Sequence, residues 1–155
     1  CHKNHNAPYK KLLINEGKDL CYLSACHTKF EQKEFIHKPV DDGKCTSCHD
    51  PHSSLNKKLL IIKEDVIINT IYRLCYQCHK PFENKPGIHK PVAEGKCDLC
   101  HNIHSSDNES LLLNAERQLC ESCHLDKSKV KEHARGIEGN KHCTECHDAH
   151  YPRQK

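Results

Sequence analysis

Five segments of the chain read C-x-x-C-H: Cys45 to His49, Cys75 to His79, Cys97 to His101, Cys120 to His124 and Cys143 to His147. Two thiols about one helical turn apart, with an imidazole directly behind them, match the chemistry of c-type haem attachment. The paired thiols (Cys45 with Cys48, Cys75 with Cys78, Cys97 with Cys100, Cys120 with Cys123, Cys143 with Cys146) would add to the porphyrin vinyl groups as thioethers. The adjacent His49, His79, His101, His124 or His147 would then lie over the iron as its proximal ligand. A sixth segment, Cys21 through Cys26 and His27, has four spacer residues instead of two and is expected to hold haem as well.

Two other chemistries use the same residue types. Zinc closes a tetrahedron of Cys and His, but it has no need for a histidine after every second cysteine. With 15 His in 155 residues, six such coincidences would arise by chance on the order of once in a million. A disulfide framework would use the 13 Cys and leave the histidines unexplained.

The second axial ligand separates a carrier from a catalyst. The chain has no Met, which removes the His/Met ligation that raises the potential of many cytochromes c. Eight histidines lie outside the motifs: His5, His37, His52, His89, His104, His133, His142 and His150. His142 takes the place of Lys44 and Lys96 in the repeats and reads as a surface residue. The other seven are candidate distal ligands. His52, His104 and His150 lie three residues past a proximal histidine, too close to reach the far face of the same haem, so each must serve a different one. His37, His89 and His133 could ligate either neighbour.

The motifs sit in an internal repeat. IHKPVDDGKCTSCHDPHSS at 36–54 recurs as IHKPVAEGKCDLCHNIHSS at 88–106, and a degenerate copy ends KHCTECHDAH at 141–150. Between these copies stand LCYQCH at 74–79 and LCESCH at 119–124. An offset of 99 aligns LLIN at 12–15 with LLLN at 111–114 and sets Cys1 and His2 on Cys100 and His101. Cys1 and His2 therefore read as the end of a seventh, interrupted attachment motif within a longer cytochrome. The rival reading is a lipid-bearing N-terminal cysteine. One module of 155 residues is expected, with repeat units at about 1–35, 36–87, 88–131 and 132–155.

The elements that must position these residues are short. Leu-rich stretches at 12–20 and 111–119 suit one or two helical turns leading into a motif. His49 to Cys75 spans seven more positions than His101 to Cys120, which suggests a partly helical insertion. Seven Pro punctuate the rest. The expectation is mostly coil with short α-helices and little or no sheet. Apolar residues other than cysteine make up about 27% of the chain, with no Trp and 3 Phe. Side chains of that kind cannot offset the entropy of ordering the backbone, so haem is expected to replace the apolar core. The formal charge of +3 is scattered and offers no basic tract for nucleic acid. Six ferric haems with their propionates would move it to about −3. No stretch has the length and apolarity of a membrane span.

The order H-K-P-V-x-x-G-K-C-x-x-C-H-x-x-H-S-S, then L-L and L-C-x-x-C-H, resembles the doubled-CXXCH multihaem c-type cytochromes along nearly the whole chain. The long-spaced site at Cys21, the insertion before Cys75 and the interrupted first motif depart from that pattern. The resemblance implies low-potential bis-His haems packed in close pairs and attached outside the cytoplasmic membrane. It further implies electron transfer in the periplasm, at the outer membrane or at the cell surface, with other redox proteins as partners. Two rivals stand beside a carrier. One is a multihaem oxidoreductase, which needs one haem with an open face. The other is a subunit of an extracellular filament, in which His5 or His150 would ligate a neighbour's haem.

Overall fold

Proline and glycine placement sets the local structure of each repeat. In the computed structural model, residues 1–23, 27, 29–61, 70–82, 86–124 and 142–151 are described. Helix α1 spans Gly17–Cys21 and strand β1 Phe35–Ile36, followed by α2 at Lys38–Asp41. Helices α3 (Thr70–Cys75) and α4 (Lys90–Ala93), strand β2 (Ser105–Ser106) and helix α5 (Glu116–Glu121) complete the regular elements. In α2 and α4 a proline stands in the first turn, where its fixed φ favours the helix and its missing N–H is not needed. Gly43 and Gly95, at φ 70° and 68°, end these helices in the left-handed conformation. Gly43 is also required by space, since a Cβ there would lie 3.0 Å from the Lys18 backbone nitrogen in α1.

Helices of four to six residues do not hold in water by themselves. Each is set against a motif. Among the described residues, α1, α3 and α5 run into Cys21, Cys75 and Cys120 and pack on the 3-10 turns Cys45–Ser47, Cys97–Leu99 and Cys143–Glu145 of the following motif. The expectation of short helices, mostly coil and minimal sheet describes what is seen, the two residues of β1 and of β2 pairing antiparallel with Phe35 opposite Ser106 and Ile36 opposite Ser105.

Behind three motifs the chain doubles back. His2 bridges to Leu13, His49 to Leu60 and His101 to Leu112. Backbone bonds flank the bridges, from Lys3 N–H to the Leu12 carbonyl (2.8 Å), Asp50 N–H to Leu59 (2.8 Å) and Leu113 N–H to Cys100 (2.9 Å). The turns between use left-handed residues that are not glycine: Lys11 and Leu12, Lys58 and Leu59, Ser110 and Leu111, all at φ 56–59°.

The chain divides into two compact units, one of Cys1–Val66 with Ile103–Leu111 and one of Ile67–Asn102 with Leu112–Lys155. In neither is any described apolar side chain buried; Asn56, Ser105 and Ser106 are the described side chains that are. The described residues by themselves supply no apolar core, and Leu55 and Leu99 stand 93% and 55% exposed. Among the described residues no helix is long and apolar enough to cross a membrane.

Candidate functional site

The histidines come together in pairs, three of the four drawn from successive repeats. In the first unit the rings of His2 and His52 lie 5.9 Å apart at 24°, and those of His49 and His104 lie 6.0 Å apart at 17°. In the second, His101 and His150 lie 6.0 Å apart at 6°, and His89 and His124 lie 5.9 Å apart at 29°. Two imidazoles bound through nitrogen to one metal at about 2 Å each hold their ring centres roughly 6 Å apart. The pairs thus have the span of two axial ligands on one iron. Among the described residues no group of three or more His, Cys, Asp or Glu gathers as a metal cluster, which is the arrangement zinc would require.

Backbone bonds explain how a histidine reaches across repeats. His37 N–H donates to the His104 carbonyl at 2.9 Å, continuing the β1–β2 ladder, and His89 N–H donates to the His150 carbonyl at 2.9 Å. Aromatic rings then fix the imidazoles. Phe30 stacks on His104 at 4.6 Å and 6°, while Phe82 stacks on His150 at 4.8 Å and 9°. Tyr22 and Tyr76 meet these phenylalanines edge-on at 6.2 and 6.4 Å. Burial, with His49 next in weight, pushes the His104 pKa down. Burial and then His101 do the same for His150, against the opposing Asp148 carboxylate. Both shifts favour the neutral imidazole, the form that binds a metal. Asp50 and Asp148 shape the H-x-x-H loops, Asp50 Oδ1 accepting from His52 N–H at 2.9 Å and Asp148 Oδ1 from His150 N–H at 2.9 Å.

Cysteines of neighbouring motifs also meet. Burial and the Cys45 thiol push Cys21 up to about 11. Burial and Cys143 push Cys120 up to about 11, and a hydrogen bond with Cys75 brings Cys97 down to about 7. Each contact joins the first cysteine of an L-C motif to the first cysteine of the motif that follows it. Porphyrins attached at such points would be held close to one another.

Of the remaining candidates, Cys1, Cys78, Cys123, Cys146, His5, His27, His79 and His147 are exposed, and Cys48 and Cys100 are half-buried. Cys26 and His133 lie outside the described residues. His142 is exposed, and its Nδ1 pairs with Glu116 Oε2 at 2.9 Å. Glu116 Oε1 also accepts from Thr144 N–H at 2.8 Å, pinning α5 to the last motif. The residues present fit haem c: two thiols and a histidine per motif, a facing histidine at axial distance in four cases, and no buried apolar side chain among the described residues.

The model of the doubled CXXCH motif matches residues 1–32, 37–84 and 89–129. The chain belongs to the doubled CXXCH motif family. It is 30% identical over 158 aligned residues to the multiheme cytochrome MtrA of Shewanella baltica (strain OS185), covering 87% of this chain and 46% of that protein. It is 26% identical over 137 residues to the high-molecular-weight cytochrome c of Nitratidesulfovibrio vulgaris, covering 79% of this chain and 24% of that one. The chain thus spans less than half the length of either relative. The doubled CXXCH motifs and these relatives support haem c as its cofactor.

Sequence reasoning passed over three sets of residues. Phe30 and Phe82 each stand three residues after the histidine that closes a motif, and Tyr22 and Tyr76 directly follow a first cysteine. Asn56 and Asn108 complete an S-S-x-N pattern that repeats at an offset of 52. All three were visible as repeats, once the alignment is extended past the metal-binding residue types.

Proposed function

We propose that the chain relays electrons along six or seven covalently bound haems, most of them with histidine on both faces. The observation that carries this reading is the set of four ring pairs at 5.9–6.0 Å. It supports His2 with His52, His49 with His104, His101 with His150, and His124 with His89 as axial sets. His27, His79 and His147 are the other proximal ligands, and His5, His37 and His133 the other candidate distal ones. When bound, haem supplies the one-electron ferric–ferrous couple.

The chain's own residues hold the irons at fixed spacing, and the thiol contacts between motifs hold the porphyrins close to one another. Because paired histidines fill both faces in these sets, a carrier is favoured over an oxidoreductase with an open iron. Thioether attachment and the resemblance to the doubled-CXXCH cytochromes support a place outside the cytoplasmic membrane, in anaerobic respiration or extracellular electron transfer, with other redox proteins as donor and acceptor.

An anaerobic redox titration of the purified holoprotein tests this reading. Several overlapping one-electron steps at negative potential, low-spin in both oxidation states, are expected. A single step, or a spectrum dominated by high-spin haem, would overturn it.

A further inference from the structure

The left-handed turns behind the motifs are costly where they stand. Turns with two residues at positive φ favour Asn-Gly, because a Cβ in that region crowds the next carbonyl. Here the same positions hold Lys11 and Leu12, Lys58 and Leu59, Ser110 and Leu111. Three recurrences of an unfavourable conformation on ordinary residues call for a compensating role.

The hydrogen bonds show one. The Lys58 carbonyl, in the peptide between two left-handed residues, is turned out of the ladder and accepts from His49 Nδ1 at 2.7 Å. The Lys11 carbonyl stands in the same relation to His2 Nδ1 at 2.8 Å. Side chains brace the turn. Asn56 Nδ2 donates to the Leu60 carbonyl at 2.8 Å, Ser54 Oγ donates to the same oxygen, and Asn56 N–H donates to Ser54 Oγ at 3.0 Å. Asn108 N–H donates to Ser106 Oγ at 3.0 Å in the next copy. Asn56 is 7% exposed, unusually buried for a residue with no apolar face to offer.

An imidazole that donates its Nδ1 proton presents Nε2 to the metal in one fixed orientation, and the bond raises its basicity as a ligand. We propose that the left-handed turn at Lys58 and Leu59, braced by Asn56, is a positioning device that orients His49 and lowers the reduction potential of the haem it ligates. The turn at Lys11–Leu12 acts likewise on His2. The inference rests on the reading of His49 as a proximal ligand.

Lys58→Pro forbids positive φ without removing a backbone bond seen in the ladder, whereas Lys58→Gly keeps the turn. In the holoprotein, the potential of the haem on Cys45 and Cys48 is followed through its resolved NMR methyl signals, together with solvent exchange of the His49 Nδ1 proton. Lys58→Pro is expected to raise that potential and speed the exchange. Lys58→Gly is expected to leave both unchanged, and Asn56→Ala to shift both partway. A normally loaded, low-spin Lys58→Pro protein with an unchanged potential overturns the inference and leaves the axial reading intact. If Lys58→Pro does not load haem, an Asn56→Ala protein with unchanged potential and exchange overturns it. Unmodified Cys45 and Cys48 thiols in the wild-type protein would instead remove the axial reading beneath it.

Discussion

Removing His104 separates ligation of its own repeat from ligation of the preceding one. The imidazole lies three residues past His101, yet its ring stands 6.0 Å from that of His49, and the Phe30 ring backs it at 4.6 Å. His104→Ala deletes the ring alone. The His104 carbonyl still accepts from His37 N–H, and β1 still pairs with β2. The stacking lost with Phe30 amounts to about 0.5–1.5 kcal/mol, so the fold is expected to survive. One iron per chain becomes five-coordinate, namely that attached through Cys45 and Cys48. Carbon monoxide titrated into the reduced protein is expected to bind at one equivalent per chain more than in wild type. In a Cys45→Ala/Cys48→Ala background, which lacks that haem, the same substitution adds no equivalent. A new equivalent that persists in that background, and disappears when Cys97 and Cys100 are replaced, would refute the pairing across repeats.

Three further outcomes follow from the same geometry. Phe30→Ala removes the ring behind His104 and should loosen the distal ligand; partial high-spin character confined to one haem, read by magnetic circular dichroism, is expected, and a spectrum identical to wild type would contradict the stack. Gly43→Ala places a Cβ at φ 70° and 3.0 Å from the Lys18 nitrogen, so thermal unfolding of the holoprotein should show a loss of about 1–2 kcal/mol or more. Glu116, although burial raises its pKa, is held below the ordinary glutamate value by hydrogen bonds from Thr144 and His142. A depressed carboxyl stabilises fully above its unfolded pKa and loses that contribution as pH falls through the folded one. Wild type should therefore lose stability below about pH 4.5 more steeply than Glu116→Gln, and parallel curves would count against the pin.

What was legible in the sequence was local chemistry. A thioether pair and its proximal histidine need five consecutive residues, so Cys45 to His49 announces itself without any fold. The helical turns into Cys21 and Cys120 were readable for the same reason, as Leu-rich stretches of one or two turns. The pairing of His104 with His49 was not readable, because it depends on a backbone bond from His37, 67 positions away in sequence. The exclusion of His104 from its own haem was available from reach alone, and the choice of recipient was not. Phe30 and Asn56 went unseen because attention to metal-binding residue types passes over an aromatic ring and an amide. The left-handed conformation of Lys58 and Leu59 had no signal at all, since neither residue favours it.

Thioether-bound porphyrin is proposed to form the interior of this chain. Intact mass of the holoprotein under denaturing conditions tests it most directly, because each covalent haem adds one fixed increment. Six increments are predicted, with a seventh if Cys1 carries a single thioether. A mass equal to the bare polypeptide, with free thiols on Cys45, Cys75, Cys97, Cys120 and Cys143, would contradict it.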